Sequence, residues 1–189
     1  MYCLEKPGQE VQFDGCYPVG RARKLVALEA VDDSSRWSFG KYYDRETVDN
    51  ALLFVEEVLR KAPFRIESLR VDNRYKKRFK EECKKRYGIE VIVNEPYEPR
   101  QNGKVERFHQ TMKREFFERE ALYQREIEEI NYRYELWLGH YNHNRRHGGL
   151  GMNRMTPKEK IVSTLLQTLV NTCLTYPQKV TCTLQQHIL

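Results

Sequence analysis

The order of predicted elements in the first half of the chain most limits what it can fold into. Residues 11–16 alternate apolar and polar side chains, residues 25–31 are almost entirely apolar, and residues 36–43 extend the pattern. Polar turns separate these runs, so we predict an antiparallel meander over residues 9–43. Helical and extended patterns then alternate over residues 44–93, which indicates parallel strands joined by helical crossovers. The predicted fold class is therefore α/β, with a five-stranded mixed sheet flanked by helices.

The spacing of apolar residues locates the predicted helices. The first runs from Asp44, a candidate N-cap, to a stop at Pro63, and the second covers residues 75–87. Two later helices are predicted over residues 105–116 and 127–141, where apolar side chains recur at helical spacing. The apolar stripe of the earlier one consists of Val105, Phe108, Met112 and Phe116.

A last helix is predicted from a capping box. Thr156 is the expected cap, Pro157 occupies the first helical position, and Glu159 stands at the third. Its apolar face is expected to continue through Ile161, Leu165, Leu169 and Val170. We predict one core domain over residues 9–165 and a C-terminal tail of unassigned structure over residues 166–189.

Positive charge is concentrated in one segment of a basic chain. The formal net charge is +6 and the isoelectric point is about 9.0. Residues 70–86 contain nine Lys or Arg and three acidic residues, and such clustering favours a polyanion such as nucleic acid. Arg74, Lys76 and Lys77 of this segment are candidate DNA contacts. The alternative is a solvated helix face with no partner.

Cysteine usage and hydropathy indicate the compartment. The five cysteines are widely spaced and include no Cys-x-x-Cys pair, which is typical of free thiols in a reducing compartment. The N-terminus has no basic and then apolar leader, so no secretion signal is expected. The uncharged run at residues 161–178 approaches membrane-span length, but polar residues and a proline interrupt it, so no membrane segment is expected.

Three acidic residues stand where a catalytic carboxylate would be useful. Asp14 lies in a predicted central strand, where a lone carboxylate loses hydration unless it is paired or metal-bound. Asp72 ends an apolar strand, and ligands of α/β sheets gather at the carboxyl ends of strands; an N-cap role is the alternative. Glu106 projects from the edge of a helical stripe, and an ordinary exposed glutamate is the alternative. Asp32 and Asp33 compete for such a role, but two neighbouring serines are typical of a turn.

Carboxylates of this kind in a basic chain suggest metal-dependent chemistry on nucleic acid, because Mg²⁺ takes oxygen ligands. With their flanking residues they resemble the catalytic core of retroviral integrases and DDE transposases, above all the integrase-core transposases of bacterial insertion sequences. The likeness covers roughly residues 9–162 and is most specific at residues 101–109, with the sequence QNGKVERFH. The other segments that carry it are residues 11–14, 30–36, 71–73, 97–100, 141–142, 145–147, 150 and 156–157.

The resemblance implies an RNase H-like fold and DNA strand cleavage and strand transfer in transposition or integration. It implies two Mg²⁺ or Mn²⁺ ions held by Asp14, Asp72 and Glu106. Contacts with DNA are expected along the helix that carries Glu106. The candidates are Asn102, Gly103, Lys104, Arg107, Gln110 and Lys113. Expected partners are DNA and further copies of the chain on DNA, with no membrane and no small-molecule substrate, in the cytoplasm of a bacterium at its nucleoid.

The chain departs from this family at the turn after Asp72. The family usually places a glycine after Asp-Asn, whereas Arg74 stands there in this chain, and the interval from Asp72 to Glu106 is slightly shorter than usual. The chain also begins almost at its first strand, without the helix-turn-helix region that usually precedes the core. Two alternatives stay open. One is a catalytically impaired transposase-derived fragment that only binds DNA or a full-length partner, and the other is an RNase H-like nuclease that does not transfer strands.

Overall fold

A computed structural model of the chain describes residues 3–20, 24–75, 77–95 and 101–175. The strands are β1 (Val11–Cys16), β2 (Val26–Asp32), β3 (Ser38–Tyr43), β4 (Ser68–Val71) and β5 (Glu90–Val93). The helices are α1 (Val48–Lys61), α2 (Lys77–Tyr87), α3 (Gly103–Met112), α4 (Ile127–His143) and α5 (Pro157–Thr175). A π-helical turn (Lys113–Phe117) extends α3, and a 3₁₀ turn (Leu122–Gln124) precedes α4. This succession of elements confirms the order predicted from the sequence.

The five strands form one mixed sheet in the order β3-β2-β1-β4-β5. β2 pairs antiparallel with both β1 and β3, and β4 pairs in parallel with both β1 and β5. The predicted meander and the predicted parallel crossovers are therefore confirmed. β1 occupies the centre of the sheet, so the carboxyl ends of β1 and of its parallel neighbour β4 lie side by side.

The two faces of the sheet are covered by different helices. On one face Phe13 of β1 stacks against Phe54 of α1 and Phe79 of α2, with ring centroids 5.5 and 5.7 Å apart. On the other face Cys16 packs in a cluster with side chains of α3 and α4. Since side chains alternate along a strand, Asp14 shares the face of Cys16 and projects toward α3 and α4. All seven residues of β2 are buried, as its apolar run predicted.

The helix starts agree with the sequence at α5 but not at α1. The N-cap of α1 is Thr47, whose Oγ1 accepts a hydrogen bond of 3.0 Å from the Asn50 N–H. The predicted cap, Asp44, lies three residues too early to reach the first turn. At α5 the capping box is confirmed, because the Thr156 N–H donates to Glu159 Oε2 at 2.8 Å and the Glu159 N–H donates to Thr156 Oγ1 at 3.2 Å.

The apolar face predicted for α5 is buried only at its beginning. Ile161 joins the core cluster of α1 and the sheet, but the later aliphatic side chains are exposed. They are Val162, Leu165, Leu166, Leu169, Val170 and Leu174. The helix runs to Thr175, across the predicted boundary between residues 9–165 and 166–189, and that division itself stays a prediction. Residues 176–189 lie outside the described residues.

The structure also describes the hydropathy of the helices and the state of three cysteines. In the part of the chain that the structure describes, no helix is long and apolar enough to cross a membrane. Cys3, Cys16 and Cys83 carry free thiols. Burial raises the pKa of the Cys16 and Cys83 thiols to about 12, so both stay protonated near neutral pH.

Candidate active site

Asp14 and Asp72 lie next to each other on adjacent parallel strands. Phe13 of β1 is in register with Val71 of β4, so the residues that follow them stand side by side. Each carboxylate also accepts a hydrogen bond from the next backbone N–H, at 2.8 Å from Gly15 to Asp14 and at 2.5 Å from Asn73 to Asp72. The register of two strands thus brings together two acids that are far apart in the chain.

Arg74 joins these two aspartates. Its Nη2 lies 2.6 Å from Asp14 Oδ1, and its Nε lies 3.0 Å from Asp72 Oδ2. Its Nη1 lies 2.8 Å from Glu46 Oε2. One guanidinium therefore bridges three carboxylates, which come from β1, from the turn after β4 and from the loop before α1. The predicted role of Arg74 as a DNA contact stays a prediction, and in this conformation its guanidinium is engaged inside the site.

Glu46 is a site residue that the sequence did not reveal. The hydroxyl of Tyr17 donates to Glu46 Oε2 at 2.7 Å, and the hydroxyl of Tyr75 donates to Oε1. A Cβ added to Gly15 would lie 2.7 Å from Glu46 Oε1, so the carboxylate occupies the space that a side chain at position 15 would fill. A glycine directly after an acid within a strand was the one available signal, since such a glycine often marks a close approach.

The charge of Asp14 depends on its neighbours. Burial raises its pKa to about 6, Arg74 and the Gly15 N–H oppose that rise, and Asp72 and Glu46 add to it. The side chain of Asp14 is only 14% exposed. Asp14 is therefore a carboxylate whose ionised form requires a nearby cation.

Gln12 holds the start of α3 over Asp14. Its side-chain Oε1 accepts the N–H groups of Lys104 at 3.2 Å and of Val105 at 3.1 Å. Asn102, at the N-cap position of α3, donates from Nδ2 to Asp14 Oδ2 at 3.4 Å. Since Gln12 and Asp14 share one face of β1, a single strand fixes both the catalytic candidate and the helix above it.

Glu106 follows Asn102 by one turn of α3 and is exposed to solvent. One helical turn rises about 5.4 Å, so Glu106 lies one turn further along α3 than Asn102, the residue that contacts Asp14. Among the described residues, no three His, Cys, Asp or Glu side chains are close enough to hold a metal ion together. The structure thus brings Asp14 and Asp72 together but does not gather Glu106 with them, and the role of Glu106 as a third ligand stays a prediction.

Lys104 has a partner inside the protein. Its ammonium pairs with the Asp33 carboxylate and lies 3.1 Å from the Asp33 carbonyl oxygen. Burial lowers the pKa of Lys104, and the hydrogen bond to Asp33 opposes that change. Asp32, in the same turn, accepts the N–H groups of Gly8 and Ser35 at 2.7 Å each, which confirms the predicted turn chemistry. Lys104 therefore anchors α3 to this turn, and its side chain is turned away from solvent.

The remaining predicted DNA contacts are at or near the surface. Arg107, Gln110 and Lys77 are exposed, whereas Gly103 and Lys113 are partly buried. Lys76 lies outside the described residues. The roles of all these residues in DNA binding stay predictions.

A cleft of about 610 Å³ opens between α3 and the segment that follows α4. Its basic lining residues are Arg36, Lys104, Arg107, Arg114, Arg145 and Arg146. Glu115 is an acidic residue in the lining, and Arg145 holds it through two bonds of 2.8 and 2.7 Å. His147 is also in the lining, and burial, together with the charges of Arg145 and Arg36, lowers its pKa to about 4. The cleft is therefore positively charged and suits an anionic ligand.

Glu29 is a second buried carboxyl that the sequence did not reveal. It is fully buried on β2, the hydroxyl of Tyr134 of α4 donates to it, and His109 Nε2 of α3 lies 3.1 Å from its Oε2. Burial raises the pKa of Glu29 to about 8 and lowers that of His109 to about 3. Both groups are therefore neutral near neutral pH, and their contact is not an ion pair. This cluster ties α3 and α4 to the strand beside Asp14.

The donors of Asp14 and Asp72 fit a divalent cation. Both residues offer carboxylate oxygens, which Mg²⁺ and Mn²⁺ prefer. A cationic group, the Arg74 guanidinium, already bridges them and acts as a stand-in for such an ion. A cation at this place would also favour the ionised form of Asp14, which burial disfavours.

Comparison with known proteins identifies what this arrangement is similar to. Residues 87–157 match the family model described as integrase core domain. The simian T-cell lymphotropic virus intasome in complex with PP2A regulatory subunit B56 gamma has a TM-score of 0.70 at 18% identity, over 85% of this chain and 56% of that chain. The catalytic core domain of BIV integrase has a TM-score of 0.62 at 24% identity, over 86% of this chain and 99% of that chain. No curated protein sequence matches the chain.

These findings confirm the predicted resemblance and the predicted fold class. The five-stranded mixed sheet with its flanking helices is that of integrase catalytic cores, which is an RNase H-like fold. The family match includes Glu106 and the motif around it, and it ends at the start of α5. The chain spans only 56% of the simian virus chain.

Proposed function

We propose that the chain is an integrase-type catalytic core that cleaves and transfers DNA strands with a divalent metal, in transposition or integration. The observation that carries this proposal is the pair Asp14 and Asp72, held side by side by parallel strands and bridged by a cationic group. The pair lies at the carboxyl ends of its strands, which is where α/β folds bind their ligands.

The residues of the site have separate roles in this proposal. Asp14 and Asp72 hold Mg²⁺ or Mn²⁺, and Glu106 supplies a third carboxylate from α3. When bound, the metal provides Lewis-acid stabilisation of the reacting phosphoryl oxygens. Asn102 orients Asp14 through its amide, and Gln12 keeps α3, and with it Glu106, at a fixed position on the sheet.

DNA would contact the exposed side of α3 and the basic cleft beside it. Arg107 lines the cleft, and Gln110 shares that lining. Phosphate contacts from such side chains position DNA without reading its sequence. The basic segment that includes Lys77 offers a second surface of the same kind. We also propose that the chain acts as a homo-oligomer on DNA, as the likeness to a chain of a viral intasome suggests.

A second candidate function is a DNA-binding derivative without catalytic activity. The placement of Arg74 favours it, because this guanidinium occupies both aspartates. The exposed position of Glu106, apart from the pair, favours it as well. The intact set of three acids supports the catalytic proposal.

The two candidates differ in one experiment. The protein is incubated with end-labelled duplex DNA and Mn²⁺, beside the variants Glu106→Gln and Asp14→Asn. The catalytic proposal expects nicked product in the wild type and none in either variant. Glu118→Gln, an exposed change just beyond α3, is the matched control and should nick like the wild type. Equal background nicking by folded wild type and Glu106→Gln would favour the DNA-binding derivative.

A further inference from the structure

The guanidinium of Arg74 occupies one carboxylate oxygen on each of the two aspartates that would hold a metal. Asp14 Oδ1 and Asp72 Oδ2 each lie within hydrogen-bonding distance of it, at 2.6 and 3.0 Å. A divalent ion bound to those oxygens would stand a few ångströms from the guanidinium, and two positive groups at that separation repel each other strongly in a poorly hydrated site. Arg74 and the metal therefore exclude each other from the aspartates.

The third bond of Arg74, to Glu46, could hold the guanidinium after it leaves the two aspartates. Glu46 accepts Nη1 at 2.8 Å, and both Glu46 oxygens are fixed by the hydroxyls of Tyr17 and Tyr75. The Glu46 side chain is 11% exposed, and a buried carboxylate is costly without a positive partner. Arg74 itself is 37% exposed, so its solvent side leaves room for the guanidinium to turn about the bond to Glu46.

We propose that Arg74 is an internal cation that competes with the divalent metal for Asp14 and Asp72, and that Glu46 is the positioning residue that retains Arg74 once the metal has entered. The inference rests on the proposed function, since it concerns access to the same metal site. The planar fork of arginine supports it, because Nε and Nη2 leave the two aspartates together while Nη1 keeps its bond to Glu46. The protein would thus carry a closed and an open form of its active site, and the divalent ion concentration would select between them.

A structural clamp is the competing explanation. In that case Arg74 only ties the turn after β4 to β1, and its removal would loosen the two aspartates and weaken metal binding. The two explanations predict opposite signs for the same substitution, so a direct binding measurement separates them.

The test measures Mn²⁺ affinity of the full chain by calorimetry, with no DNA present. Arg74→Gln removes the competing charge, and we expect Mn²⁺ to bind about tenfold more tightly or better, the equivalent of about 1.4 kcal/mol. Arg78→Gln is the matched control. Arg78 pairs with Asp49 at 2.6 Å on the surface, so its loss changes the net charge equally without touching the site. Equal or weaker binding in Arg74→Gln than in Arg78→Gln would overturn the competition.

Glu46→Gln tests the second half of the proposal. In the metal-free form Arg74 pairs with Asp14, Asp72 and Glu46, whereas in the metal-bound form only Glu46 would remain as its partner. The loss of Glu46 therefore costs the metal-bound form more, and Mn²⁺ should bind several-fold more weakly than to the wild type. In the double variant with Arg74→Gln the loss should vanish, because no competitor remains to be retained. A loss that persists in the double variant would show that Glu46 acts on the ion itself, as a ligand or through its charge, and would overturn its positioning role.

The failure of this inference is distinguishable from failure of the proposed function. Asp14→Asn is added to the Arg74→Gln background, where it should abolish Mn²⁺ binding. Binding that is lost there, with equal affinities in wild type and Arg74→Gln, overturns the competition and leaves the metal site standing. Binding that persists without Asp14, or no binding by any folded variant, overturns the metal site and the competition with it.

Discussion

Asp14 and Glu29 stand opposite each other in the antiparallel register of β1 and β2. Opposed residues of such a pair direct their side chains to the same face, so the charge of Asp14 raises the pKa of Glu29. Burial is the larger cause for both, and it raises the pKa of Asp14 to about 6 and that of Glu29 to about 8. Near neutral pH, Glu29 is therefore the neutral acid and Asp14 the carboxylate. The negative charge of the pair thus lies on Asp14, which contacts Arg74 and could contact a metal.

Glu29→Gln should make the protein relatively more stable at high pH. The folded-state pKa of Glu29 lies above the ordinary value of 4.5. The contribution of Glu29 to the free energy of unfolding is therefore fully present below pH 4.5 and is lost as the pH rises through about 8. Glutamine keeps the shape and does not ionise. The free energy of unfolding of the wild type should therefore fall relative to the variant by on the order of 2 kcal/mol between about pH 5.5 and about pH 8.5.

Urea unfolding of both proteins across this pH range measures the difference. Glu128→Gln, an exposed change on α4, is the control and should follow the wild type at every pH. Parallel curves for wild type and Glu29→Gln would show that Glu29 is ionised in the folded protein.

A divalent ion should stabilise the folded chain through Asp14 and Asp72. The ion neutralises two neighbouring carboxylates, so Mn²⁺ at about 100 times its Kd should add about 2.7 kcal/mol to the free energy of unfolding. Asp14→Asn or Asp72→Asn should abolish the shift in melting temperature, whereas exposed Asp49→Asn should retain it. The shift should also shrink as the pH falls through about 6, where Asp14 takes up a proton. An equal shift in the wild type and both site variants would contradict a shared metal site.

The sheet could be predicted because its signals are local. Alternation along β1 and the uninterrupted apolar run of β2 follow from which faces are covered, and both are visible in a few consecutive residues. The position of Asp72 after an apolar strand likewise predicted its place at the carboxyl end of that strand, whereas its grouping with Asp14 came from the family resemblance. The prediction of Asp44 as the helix cap is wrong, because several polar residues precede α1 and only the backbone path decides which one reaches the first turn.

Glu46 and Lys104 show what the sequence did not contain. Glu46 reaches the site through contacts with Tyr17 and Tyr75, each distant in the chain, so no short motif marks it. Lys104 is a residue type that often contacts phosphate, but its ammonium pairs with the buried carboxylate of Asp33 instead. Charged side chains on one helix look alike in a sequence, and only the tertiary neighbours separate a surface cation from a buried anchor.

Reversal of charge in the basic cleft should weaken DNA binding for every sequence alike. Arg107→Glu with Arg114→Glu replaces two positive charges of the cleft lining with negative ones, which repel phosphate. A plot of log K for DNA binding against log salt concentration has a negative slope. Its magnitude should decrease by about 0.9 for each phosphate that the variant no longer neutralises. Arg60→Glu with Arg65→Glu, an equal charge change at and just beyond the exposed end of α1 and outside both the cleft and the basic segment, is the comparison.

Fluorescence anisotropy with several unrelated duplexes at two or more salt concentrations measures both pairs. A larger decrease in affinity for the cleft pair locates DNA at the cleft, and Lys77→Glu tests the basic segment in the same assay. Equal affinities for wild type and the cleft pair would show that the cleft is not where DNA binds.

Two glycines should respond oppositely to alanine. A Cβ at Gly40 would lie 2.6 Å from the Tyr134 ring, so Gly40→Ala should displace the ring that bonds Glu29 and destabilise the fold by on the order of 2 kcal/mol. Gly139 lies inside α4 with open space around it, so Gly139→Ala should stabilise the fold by roughly 0.5–1 kcal/mol. Thermal unfolding of the two variants measures both effects, and a neutral Gly40→Ala would show that Tyr134 can move without cost.

Nicking and joining should be separable in this chain because the turn after Asp72 differs from the family pattern. Asp14 and Asp72 are intact and adjacent, so Mn²⁺-dependent nicking, or disintegration of a branched substrate, should be detectable and should be lost in Glu106→Gln. Arg74 stands where the resembled family usually has a glycine, and the interval to Glu106 is shorter than usual, so we expect a DNA end to be poorly placed and end joining to be poor. Arg74→Gly should increase nicking, since the competing guanidinium is gone, but should leave the ratio of joined to nicked product low because the interval is unchanged.

Gel analysis of labelled strands gives that ratio directly. Joining as efficient as nicking in the wild type would show that the turn does not limit the placement of DNA ends.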